Sequence, residues 1–82
     1  MIKSLDTFEV KEKGIVKTVN GEKRIRRRLF DMGVTPGVEI IVVKKAPMGD
    51  PTEIHLRGYH LTLRNSECAL IEVEKIKWSI SL

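Results

Sequence analysis

The sequence predicts a mainly β domain, a small and strongly bent barrel with one inserted α-helix. Three observations carry this. Ile54, Leu56, Tyr59, Leu61 and Leu63 alternate with polar residues on either side of Arg57-Gly58, the pattern of a β-hairpin with one buried face. Ile25, Leu29 and Met32 recur at helical spacing inside an otherwise basic run. Turn signals at Asn20-Gly21, Thr35-Pro36-Gly37 and Ala46 to Pro51 divide the remainder into short apolar strands.

The elements follow in chain order. Met1 to Glu12 is a mixed lead-in, either a short helical turn or an extended arm, with Leu5, Phe8 and Val10 as its apolar residues. Gly14 to Val19 reads as the first barrel strand. A phosphate loop ending at Gly21 would need glycine in place of Val16, so no nucleotide cradle is read here. Asn20 is placed to cap a helix from Glu22 to Met32, and Gly33 to end it in the left-handed conformation. Asp31 sits at the wrong end of the helix dipole, and either pairing with Arg27 or Arg28 or accepting hydrogen bonds from the following turn would hold it. Val38 to Val43 is apolar on both faces, as a central strand covered on both sides would be.

The hairpin has one acceptable register. Its apolar sets share a face only if Leu56 opposes Tyr59 and Ile54 opposes Leu61, which makes Arg57-Gly58 a two-residue turn and sets His55 opposite His60. Asn65 to Ala69 is at most one helical turn, capped by Asn65 or Ser66. Leu70 to Glu74 closes the barrel. Five strands result, with a core of Ile15, Ile40, Val42, Ile54, Leu56, Leu61, Leu63, Ile71 and Val73, and Tyr59 buried beside them. Lys75 to Leu82 alternates in the opposite parity, so a bulge or break is expected near Glu74-Lys75.

With 82 residues, the chain is expected to be a single domain, 1–82, in which 76–82 is a hydrophobic C-terminal extension. Charged residues in the first 13 positions break any signal-peptide core, and no apolar run approaches a membrane span. One cysteine, Cys68, excludes an internal disulfide and a multi-cysteine zinc site. Together these point to the cytoplasm and away from membrane insertion. A net charge of +4 admits nucleic acid, an anionic membrane or an acidic protein as partner. Scarce aromatics weigh against nucleic acid, so none is expected as a partner. No serine stands in a His-Asp arrangement, so no enzyme is read.

Four groups of residues are candidates for function. Arg24, Arg27 and Arg28 lie on the basic helix, which is either a solvated face or a docking surface. Pro47, Met48, Gly49, Asp50 and Pro51 form a stiff loop, which either turns a corner of the barrel or presents a fixed shape to a partner. His55 and His60, with Glu53 two residues along, suit a divalent metal such as zinc or ferrous iron. Nothing in the sequence supplies the groups that would orient them, so weak or adventitious metal is expected and no required cofactor. Ile76, Trp78, Ile80 and Leu82 share one side of an extended tail and suit self-association into a homo-oligomer.

The run RRRLFDMGVTPG from Arg26, APMGDP from Ala46, the hairpin from Ile54 to Arg64 and SECALIEV from Ser66 together resemble the FeoA family of ferrous iron transport proteins. The resemblance implies an SH3-like β-barrel and a cytoplasmic, non-catalytic accessory role beside FeoB, the GTP-dependent ferrous iron permease of bacteria. The partner-binding residues above would then face the cytosolic part of that permease. The alternative that the resemblance also implies is a regulatory or nucleic-acid-binding module related to the C-terminal domain of iron-dependent repressors. The tail after Glu74 lies outside the family pattern.

Overall fold

Short strands separated by tight turns assemble into one bent antiparallel sheet. The computed structural model describes residues 1–76. Strand β1 (Ile2–Ser4) leads through a 3-10 turn (Leu5–Thr7) to β2 (Lys13–Val19). Helix α1 (Lys23–Asp31) follows, then β3 (Glu39–Lys45), β4 (Thr52–Leu56) and β5 (Tyr59–Leu63). A one-turn helix α2 (Asn65–Cys68) precedes β6 (Ile71–Lys75). The six strands run in the order β1-β6-β2-β3-β4-β5. The sixth, unexpected strand is the lead-in, which is both an extended arm and a helical turn: Ile2–Ser4 pairs with β6, and Leu5 then turns into the core.

The core is aliphatic apart from Phe8, which is buried with Leu5, Leu29 and the sheet residues Val16, Ile40, Val42, Ile54, Leu56, Leu63, Ile71 and Val73. Ile15 is only half-buried, and Val16 takes the place expected of it. Register explains the swap. Val16 opposes buried Val73 and Ile15 opposes Glu74. The pairing then shifts between Val16 and Thr18, a bulge at Lys17 that brings Val19 inward opposite Ile71. Leu61 is half-buried and packs against the core from its margin. Val43 is 36% exposed, so the central strand β3 is covered on one face only.

Helix α1 starts at Glu22, whose backbone is extended and whose side chain makes no capping bond. Asn20, expected as the cap, instead donates from Nδ2 to Glu72 Oε2 at 3.3 Å. The C-terminus is a Schellman motif. Val34 N–H donates to Leu29 O and Gly33 N–H to Phe30 O, both at 2.9 Å, with Gly33 at φ 98°. Tyr59 adds a clasp: its hydroxyl donates to Met32 O. That bond draws the ring to the sheet margin, where the residue is 41% exposed and not buried as its parity suggested. Asp31 makes no ion pair among the described residues, and Arg28 reaches across to Glu67 of α2.

The N-terminal arm is clamped by charge. Glu12 accepts from Lys75 Nζ at 2.5 Å and pairs with Lys3 at 3.5 Å, and Lys3 Nζ lies 4.9 Å from the centroid of the Phe8 ring. Glu12 is thereby held down to about 2, by the Lys75 hydrogen bond first and by the Glu9 N–H second. Strand β6 pairs regularly to Lys75, opposite Gly14, and ends there; Ile76 is half-buried and donates its N–H to Lys13 O at 2.9 Å. Trp78, Ile80 and Leu82 lie outside the described residues.

Candidate functional site

The hairpin forms in the expected register, with Leu56 opposite Tyr59, Ile54 opposite Leu61 and His55 opposite His60. Arg57 and Gly58 both have positive φ, 49° and 87°, the type I′ geometry that matches strand twist. On the outer face the two imidazole rings pack edge to face, with centroids 5.0 Å apart and planes 78° apart. Glu53 Oε2 lies 3.1 Å from His60 Nδ1. All three candidate metal ligands are therefore neighbours. Their donor atoms do not converge: Glu53 is engaged with one imidazole nitrogen, and the rings present edge to face. Among the described residues no group of three or more His, Cys, Asp or Glu side chains is arranged to hold a metal ion. Cys68 is fully buried, and burial pushes its thiol up to about 12, which makes it a core residue and not a thiolate ligand.

The loop before β4 is built as a rigid protrusion. Gly49 N–H donates to Ala46 O at 2.7 Å, and Ala46 N–H donates to Pro51 O at 3.1 Å, closing the loop at its base. The Asp50-Pro51 peptide is cis. Asp50 Oδ1 accepts from the Asn65 backbone N–H at 2.9 Å, satisfying an otherwise unpartnered amide of α2. Arg64 is the capping residue of that helix, in place of Asn65 or Ser66, and its N–H donates to Glu67 Oε1 at 2.9 Å. Asn65 is used elsewhere: Thr52 Oγ1, fully buried, donates to Asn65 Oδ1 at 3.2 Å. The loop is thus pinned at both ends while Met48, at its tip, is 91% exposed. A hollow of about 210 Å³ between Lys44, Pro51, Glu53 and Thr62 joins the loop to the outer face of the hairpin.

Helix α1 contributes two surfaces. Arg24 and Arg27 are exposed on its outer side. On its other flank, Ile25, Arg28 and Met32 line a groove of about 530 Å³ with Thr62, Leu63, Arg64, Glu67 and Leu70. The sequence reading missed this groove. It read Ile25 and Met32 as part of the apolar stripe that packs the helix, and both are half-buried with part of their surface facing the groove. The half-width of the apolar stripe is consistent with that, but the groove's far wall is β5, an edge strand whose position depends on sheet order.

The described residues offer apolar and charged contact surfaces. A family model for the FeoA domain matches residues 3–75. An Fe(2+) transport protein A/Fe(2+) transporter FeoB fusion protein of Porphyromonas gingivalis is 33% identical over 72 residues, covering 88% of this chain. The match spans only 8% of that fusion's length. The solution structure of a FeoA-like protein from Clostridium acetobutylicum is 41% identical, covers 99% of this chain and 94% of its own, and superposes with a TM-score of 0.88. Stenotrophomonas maltophilia FeoA in complex with zinc, described as a procaryotic SH3 domain protein, is 27% identical with a TM-score of 0.75, covering 87% of this chain and 88% of its own. A manganese-dependent transcriptional repressor shares the fold alone, at 13% identity and a TM-score of 0.84 over 92% of this chain and 37% of its own. The fold is shared with these solved structures, and the chain belongs to the FeoA domain family.

Proposed function

We propose that this chain is a cytoplasmic, non-catalytic accessory protein of ferrous iron uptake that acts by contact with the cytosolic part of a FeoB-type permease. The observation that carries the reading is the loop at residues 46–51. It is closed at its base and pinned to α2 through Asp50, yet it leaves Met48 almost wholly exposed. Such a protrusion loses little ordering entropy on docking. A FeoA relative joined to FeoB in one chain supports the pairing, as does the description of the S. maltophilia protein as a candidate ferrous iron transport activating factor. Arg24 and Arg27 supply long-range steering toward acidic surfaces, which raises the association rate more than the affinity. Arg28 is committed to Glu67 and contributes less.

The test is a binding titration against the permease's cytosolic domain, with and without guanine nucleotide. Pro51→Ala or Met48→Ser is expected to raise the dissociation rate. Arg24→Glu with Arg27→Glu is expected to slow association and flatten its salt dependence. Parent-like binding by both sets of variants would remove this reading. The tail supports a second contact. The alternation of Ile76, Trp78, Ile80 and Leu82 in the sequence suits strand addition between copies. Deleting residues 76–82 is then expected to lower the mass in solution; unchanged mass with lost stability would assign the tail to the core.

A further inference from the structure

The outer side of α1 carries a cluster of which the permease contact proposed above uses only the long-range charge of Arg24 and Arg27. Lys23, Arg26, Arg27 and Phe30 fall on one side of the helix by their three- and four-residue spacing, and Arg24 flanks them. Lys23, Arg24 and Arg27 are exposed and Arg26 is half-buried. None of the four cations has an ion-pair partner among the described residues, whereas Lys3, Lys13, Lys17, Arg28 and Lys75 are all paired. One turn beyond Arg26 and Arg27 on that side, Phe30 is 39% exposed. The opposite side of the helix is fastened by buried Leu29, the Schellman motif and the Tyr59 clasp, so the basic face is held rigidly outward.

We propose that this face docks on a lipid bilayer of anionic headgroups, with the guanidinium groups on lipid phosphates and the Phe30 ring entering the headgroup layer. Charge complementarity selects an anionic partner, and shape selects a membrane over an acidic protein. The face is the convex side of a helix, and Phe30 lines neither the groove nor the loop hollow. A fluid surface needs no pocket; it needs unpaired cations and a shallow apolar tip. Planar guanidinium groups bind phosphate oxygens through two parallel hydrogen bonds, and three of the four cations are arginines. Each cation near an anionic surface contributes roughly fivefold in partitioning, so the cluster suffices for reversible attachment without insertion.

The experiment is cosedimentation of the full chain with vesicles of phosphatidylcholine alone or of phosphatidylcholine mixed with phosphatidylglycerol. Preference for the anionic vesicles by at least about tenfold is expected, falling as salt rises. Arg24→Glu with Arg27→Glu should abolish most of it. Lys11→Glu with Lys44→Glu, an equal change in net charge on exposed positions elsewhere, should leave it within about threefold, because the effect is local within a Debye length. Circular dichroism confirms that each variant is folded. Phe30→Ser should lose several-fold while keeping the salt dependence. Equal binding to both vesicle types, or equal losses from the two charge reversals, overturns the proposal. So does capture of soluble polyglutamate without capture of vesicles, which would make the face a protein-docking site. No permease is present, so failure here leaves the contact reading intact.

Discussion

Replacing Leu29 by alanine tests how the helix is held to the sheet. Leu29 is 0% exposed, and Leu61, half-buried at the sheet margin, is the matched control. The substitution removes three buried carbons, worth about 2.4 kcal/mol at about 0.8 kcal/mol each. The cavity left between helix and sheet raises the cost to about 3–5 kcal/mol, since the fastened C-terminus of α1 limits collapse. Leu61→Ala loses carbons already partly in water and is expected to cost about 1 kcal/mol. For a domain of this size total stability is about 4–12 kcal/mol, so Leu29→Ala removes a large share of it. Denaturant titration followed by far-UV circular dichroism measures both, and each 1 kcal/mol corresponds to about 4–8 °C in melting temperature. Equal costs at the two positions, or a loss below about 1 kcal/mol at Leu29, would refute the assignment of Leu29 as the helix anchor.

Gly33→Ala places a methyl group at φ 98° against the Tyr59 hydroxyl and is expected to cost about 2–3 kcal/mol, from backbone strain and a displaced hydrogen bond. Combined with Tyr59→Phe it should cost less than the sum of the two single changes; additive losses in a double-mutant cycle would show that the clasp is not formed. Glu12 is held down to about 2 from 4.5, so its stabilising contribution is present above about pH 4.5 and is lost as pH falls through 2. The melting-temperature gap between parent and Glu12→Gln should therefore close over that range, and a constant gap would contradict the Lys75 clamp. Anoxic calorimetry with ferrous iron is expected to show no micromolar site at Glu53, His55 and His60; micromolar binding abolished by His60→Ala would reverse that reading.

Local patterns in the sequence determined the hairpin completely. Period-two alternation admits one register across Arg57-Gly58, and a slip by a single residue would expose the apolar set, so the pairing is written in sequence order. Gly33 likewise marks the helix end wherever the helix packs. Non-local geometry decided the rest. The inward turn of Val16 in place of Ile15 depends on a bulge opposite β6, more than fifty residues away in the chain. Tyr59 follows the buried parity of its strand and is nevertheless drawn outward to Met32, because a phenol hydroxyl seeks an acceptor and the helix C-terminus provides one. The expected Asp31 pair gives way to Arg28 with Glu67, since α2 is brought beside α1 by the fold and not by helical spacing. The loop reads as stiff from its prolines, but what fastens it is Asp50 on the first amide of α2, a contact made across the hairpin. Residue spacing alone encodes neighbours along one strand or helix. Which edge strand lies beside which helix, and hence where the groove opens and which cations stay unpaired, is set by how six strands close around one core.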